Sequence, residues 1–108
     1  MNFESKIYFL AGLVVFFFMF SFLSSQAQDT TFSSISAVEF QKLIISKPGI
    51  VVDVRTPEEY NSGHIASAMN LNIHDKDFNE RITRLDSTKN IYLYCEDGTR
   101  SSKAATIL

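Results

Sequence analysis

The chain has 108 residues and a formal net charge of −2. That length allows one small domain, and a slightly acidic chain with no basic stripe gives no electrostatic reason to expect a nucleic-acid partner. The single cysteine excludes an internal disulfide and a Cys-x-x-Cys redox pair.

Met1–Lys6 is a short polar start carrying Glu4 and Lys6. Ile7–Leu23 is an uncharged apolar run of seventeen residues, followed by Ser24-Ser25-Gln26-Ala27. Small residues at 25 and 27 are the arrangement that signal peptidase cuts after. Residues 1–27 therefore read as a secretory signal, and the mature protein is expected to be periplasmic or otherwise exported. The run is long for a signal core and slightly short for a membrane span, so an uncleaved membrane anchor is the alternative. No cysteine follows the run, so lipid attachment is not supported. Removing the head takes away one lysine and one glutamate, which leaves the net charge unchanged, and seven of the ten phenylalanines. Residues 28–31 read as a short linker and 32–108 as the domain, with a modest core.

Short helices and strands alternate through the domain. Ser36 and Glu39 have the spacing of a capping box, and Phe40, Leu43 and Ile44 follow at helical spacing. Lys47-Pro48-Gly49 turns the chain. Ile50–Arg55 (IVVDVR) is a nearly continuous β-branched run, suited to a strand buried on both faces. Thr56-Pro57-Glu58-Glu59 repeats the helix-start signal, with proline at the first position. Asn61-Ser62-Gly63 ends that helix. Ala68–Ile73 alternates like a strand, Asp77–Leu85 has helical spacing, and Ile91–Tyr94 reads as another buried strand. Cys95 ends it, Gly98 lies in a tight loop, and Ser101–Leu108 begins a helix. This order predicts an α/β fold with a mainly parallel sheet and helices on both faces. Ligands of such sheets bind beyond the carboxyl ends of the strands, where Cys95 stands.

The loop Cys95-Glu96-Asp97-Gly98-Thr99-Arg100-Ser101 joins a strand end to a helix start. Successive backbone N–H groups there can converge on one spot and stabilise an anion, with the helix dipole behind them. A thiol so placed should ionise below the free value of about 8.5, and the thiolate is the reactive form. Gly98 permits a backbone conformation that a β-carbon hinders. Arg100 can aim a fixed positive fork at an anionic substrate. This is a constellation for nucleophilic catalysis by Cys95. Glu96 and Asp97 would raise the thiol pKa if they faced it, so both are expected to point to solvent. A buried structural cysteine is the competing reading.

Two stretches resemble one family. Ile50–Ile73 (IVVDVRTPEEYNSGHIASAMNLNI) is similar to the opening signature of the rhodanese-like domain, and YCEDGTRSS resembles its Cys-x-x-Gly-x-Arg-Ser active loop. The resemblance covers about residues 32–108. It implies a sulfurtransferase. Cys95 would take the outer sulfur of thiosulfate, a polysulfide or a persulfide, hold it as a persulfide, and pass it to cyanide or a thiol. The backbone N–H groups from Glu96 through Asp97, Gly98, Thr99 and Arg100 to Ser101 would cradle it, and Arg100 would orient an anionic donor. No cofactor or metal is implied. The partners are a small sulfur donor and acceptor, with a membrane only if the signal stays uncleaved. Related phosphatases use Cys-x5-Arg. Here four residues separate Cys95 from Arg100, and Tyr94 stands where the tyrosine phosphatases have histidine. Both points favour sulfur over phosphate or arsenate.

Other residues receive plainer readings. His64 belongs to a structural turn, and His74 is a solvated loop residue. Asp53 and Arg55 brace the cysteine loop from behind. Tyr60, Tyr92 and Tyr94 are packing residues. The family domain adds a further strand, a glycine-rich turn and a closing helix beyond Thr106-Ile107-Leu108. The resemblance therefore implies a chain lacking its last strand and helix, with one side of Ile91–Tyr94 unpaired, a situation that invites pairing with another chain. An inactive remnant or interaction module is the second functional reading.

Overall fold

The computed structural model describes residues 32–108. The expected signal (1–27) and linker (28–31) lie outside the described residues. The elements run α1 (Ala37–Ser46), β1 (Ile50–Asp53), α2 (Pro57–Ser62), β2 (Met69–Asn70), α3 (Phe78–Thr83), β3 (Ile91–Tyr94) and α4 (Thr99–Ala105). Among the described residues the sheet has three parallel strands in the order β2-β1-β3. Each parallel step needs a crossover, and α2 and α3 supply them. The fold is α/β, as the alternation predicts.

The central strand explains the apolar run. Val52, Asp53 and the following Val54 are fully buried, and Val51 nearly so. Ile50 pairs with Ile91, Val52 with Leu93, and Asp53 with Tyr94. Paired residues of parallel strands share a face. Val52 of one face packs with Phe78 and Ile82 of α3 and Ala104 of α4, and Leu93 and Ile91 lie against that cluster. On the opposite face Phe40 of α1 meets the rings of Tyr92 and Tyr94 edge-on, with centroids 5.9 and 6.0 Å away. Helices thus cover both faces.

Gly49 is required by a close approach. A Cβ there would lie 2.2 Å from the Asn90 carbonyl oxygen. That carbonyl accepts the Ile50 N–H at 2.8 Å and starts the β1–β3 ladder.

Several expectations change. β3 is half-buried along its length rather than buried, because it occupies an edge of the described sheet. β2 is two residues long rather than six, although Leu71 and Ile73 continue to donate to Asp53 and Val54. Asn72 then accepts the His74 N–H and turns the chain away. α3 spans Phe78–Thr83, within the expected 77–85, and α4 begins at Thr99 instead of Ser101. At α1 only half the capping box forms, Ser36 accepting from the Glu39 N–H. At α2 the reciprocal Thr56–Glu59 box is complete.

Candidate active site

Cys95 stands one residue beyond β3, half-buried, where the chain turns into α4. The loop makes this turn because Gly98 takes a left-handed conformation, φ +87°, and serves as the N-cap of α4. The turn aims backbone at sulfur. The Gly98 N–H donates to Cys95 Sγ at 3.1 Å and the Ser101 N–H at 3.4 Å. Ser101 Oγ lies 3.5 Å from the same atom. Burial alone pushes the thiol up. The Ser101 hydroxyl and the N–H groups of Ser101, Gly98 and Arg100 outweigh it and hold the thiol below its ordinary value. These donors favour a negative sulfur, because each bond strengthens when the acceptor is charged.

The cradle is narrower than the sequence implies. Asp97 is exposed, as expected, but its carboxylate turns back onto the loop. Its Oδ1 accepts the Thr99 N–H at 2.9 Å and lies 3.9 Å from Cys95 Sγ. An aspartate bonding its own backbone two residues on is a common turn device, and the Asp-Gly-Thr triplet carried that signal. The Thr99 N–H is thereby withdrawn from the sulfur. The same bond, with help from the Thr99 side chain, keeps the Asp97 carboxyl below its usual range. Glu96 is exposed, as expected.

Arg100 departs from expectation. Its guanidinium is held by Glu59 of α2, Nη1 to Oε1 at 2.7 Å and Nη2 to Oε2 at 2.9 Å. It does not form a free fork over the sulfur. A bidentate pair of this kind fixes both side chains. Arg100 lowers the Glu59 carboxyl to about 2, against partial desolvation and with help from Thr56. Glu59 thus closes the α2 capping box and anchors the start of α4. No local sequence signal pairs residues so distant.

Asp53 and Arg55 form a second locked pair. Arg55 bonds Asp53 through its backbone N–H at 2.9 Å, Nε at 3.0 Å and Nη2 at 2.6 Å. Burial raises the Asp53 carboxyl, but the bonds from Arg55 leave it lowered overall. Arg55 Nη2 also donates to the Gly63 carbonyl at 2.7 Å, and its guanidinium sits 5.6 Å from the Tyr94 ring centroid. The Tyr94 hydroxyl accepts the Ile65 N–H at 3.1 Å. Arg55 therefore ties the 63–65 turn and the residue preceding Cys95 to β1. Its bonds stop short of the cysteine loop itself.

The tyrosines do more than pack. Tyr60 donates to the Ala68 carbonyl at 2.8 Å and Tyr92 to the Lys47 carbonyl at 2.6 Å. A partly buried tyrosine hydroxyl usually needs such a partner. His64 stacks on Tyr60 at 3.6 Å, with Nδ1 2.8 Å from the Tyr60 carbonyl. A carbonyl only accepts, so Nδ1 carries a proton. His74 is exposed.

A family model for the rhodanese-like domain matches residues 36–108, α1 through α4 and the cysteine loop included. The chain belongs to the rhodanese-like family. Within it, the chain is 37% identical over 59 residues to the thiosulfate sulfurtransferase PspE of Escherichia coli, a match covering 53% of this chain and 55% of PspE. It is 31% identical over 68 residues to a sulfurtransferase of Allochromatium vinosum, covering 63% of this chain and 62% of that protein. It is also 31% identical over 87 residues to a tRNA uridine(34) hydroxylase of Pelagibacter ubique, covering 80% of this chain and 29% of that protein. This rhodanese-like chain thus spans about a third to somewhat over half the length of these relatives. A crystal structure of SSP1007 from Staphylococcus saprophyticus superposes with a TM-score of 0.60 at 25% identity, covering 69% of this chain and 74% of that one.

Proposed function

We propose that this rhodanese-like domain is a sulfurtransferase that carries sulfane sulfur on Cys95. One observation carries the reading: the Gly98 and Ser101 N–H groups converge on Cys95 Sγ at 3.1 and 3.4 Å. Sulfurtransferase relatives in the same family support it.

The chemistry balances without a cofactor. The Cys95 thiolate attacks the outer sulfur of the donor. In thiosulfate the S–S bond breaks and sulfite leaves with the bonding pair. Cys95 then holds a persulfide, whose negative outer sulfur needs the donors that now bond the thiolate. Cyanide or a thiol attacks that outer sulfur, and the electron pair of the broken bond returns to Sγ. With Arg100 held by Glu59 and Asp97 folded onto the loop, the mouth disfavours doubly charged donors. Singly charged persulfides and uncharged organic polysulfides are therefore the better donors in this reading.

The test is intact mass after exposure to thiosulfate or polysulfide, beside Cys95→Ser. The expected result is a gain of one sulfur atom, absent in the variant and reversed by cyanide. No gain would leave the inactive-module reading standing. Export belongs to the same proposal, on the strength of the apolar head and the small residues Ser25 and Ala27. The expected mature mass lacks residues 1–27. Retention of the head in the membrane fraction would make it an anchor.

A further inference from the structure

We propose that the groove between α1 and the cysteine loop holds the carbon body of the sulfur acceptor, and that this acceptor is an apolar thiol bearing no carboxylate. The proposal rests on the sulfurtransferase reading. The groove encloses about 680 Å³ and is lined by Phe40, Ile44 and Ile45 of α1, by Ile65, and by Cys95. That is the size of a small-molecule site. Cys95 is among its lining residues, so a chain lying in it can present its thiol to the outer atom of a Cys95 persulfide.

α1 has no buried residue, and Ile45, which lines the groove, is 73% exposed. Phe40 is seated edge-on against the rings of Tyr92 and Tyr94 in β3. Charge selects among thiols. Glu96 and Asp97 line the groove, and among the described residues no lysine or arginine does. The loop's own guanidinium is held by Glu59. A carboxylate on the acceptor would meet like charge with no counter-ion.

The step is a simple displacement. The acceptor thiolate attacks the outer sulfur and forms the new S–S bond. The bond from that sulfur to Sγ breaks, its electron pair returns to Sγ, and the acceptor's proton goes to solvent. No external oxidant or reductant is needed.

The experiment loads the full-length chain with polysulfide, removes the excess, and follows single-turnover discharge by intact mass. Acceptors are the straight-chain thiols from ethanethiol to hexanethiol, 3-mercaptopropionate, and cyanide. The rate constant per thiolate should rise about two- to fourfold per methylene until the groove is filled. 3-Mercaptopropionate should lag propanethiol by about tenfold. In Ile45→Asn the chain-length slope should flatten. The slope is a ratio within one variant, so a smaller loaded fraction does not disturb it. A flat series in protein that cyanide still discharges overturns the groove and leaves the sulfurtransferase reading intact. A slope that vanishes as protein concentration rises makes a second copy the occupant and also overturns it. Failure of polysulfide to load Cys95 overturns the reading beneath it.

Discussion

Glu59 and Arg100 stand forty-one residues apart and meet in two bonds of 2.7 and 2.9 Å. The same Glu59 Oε1 accepts from Thr56 at the start of α2. One carboxylate therefore joins the N-terminus of α2 to the first turn of α4, and it occupies the guanidinium of the cysteine loop.

Glu59→Gln should release Arg100. The expected outcome is a rise of about fivefold in the kcat/KM for charging by thiosulfate, with little change for an uncharged organic polysulfide. The two donors are compared in one assay, so a general loss of folded protein cancels. An equal fall for both would show that the pair serves only to hold the loop.

Alkylation of Cys95 by iodoacetamide should report the thiolate. Its donors favour the charged form, so the rate should rise with pH and reach its midpoint below the ordinary thiol value of about 8.5. Ser101→Ala removes the hydroxyl that contributes most to lowering the thiol. The midpoint should then move upward. A midpoint unmoved by this change would place the control in the backbone alone.

Asp53 is fully buried against Arg55. Removing one member of a buried pair leaves the other uncompensated, so Asp53→Asn should cost about 2–4 kcal/mol in urea unfolding. The Asp53 carboxyl is lowered in the fold. Its contribution is therefore present above the unfolded value of about 3.9 and is lost as pH falls through the folded one. The variant should lack that share of the acid-induced loss of stability. An unaltered acid profile would assign the loss to other carboxylates.

Gly49→Ala should cost about 2 kcal/mol or more, because the added carbon meets the Asn90 backbone oxygen and neither strand end can yield cheaply. Exchange of the Ile50 amide, which bonds that oxygen at 2.8 Å, should accelerate more than that of Val52. Equal acceleration would mean that the whole sheet loosens together.

Much of the fold was legible, and the reason is range. The run Ile50–Val54 reads as a buried strand because β-branched residues follow one another, and the sheet buries it at its centre. The Thr56–Glu59 box reads from residues three apart and forms as read. The similar Ser36–Glu39 spacing forms only half its box, so the motif sets the start of a helix more firmly than it sets the second bond. β3 reads as buried from its composition, yet composition cannot tell a central strand from an edge.

By itself the sequence determined what depends on neighbours along the chain. That covers the order of helices and strands, the caps, and a cysteine set at a strand end before a glycine that can turn left-handed. The tertiary structure alone decided what depends on which elements lie side by side. The order β2-β1-β3 brings α2 beside α4, and only then can Glu59 take Arg100 away from the sulfur. It also seats α1 on the tyrosine face of β3 and leaves a groove that Cys95 lines. Hydrogen bonds within a few residues are written in local spacing, whereas an ion pair across forty-one residues exists only once the strands have chosen their partners.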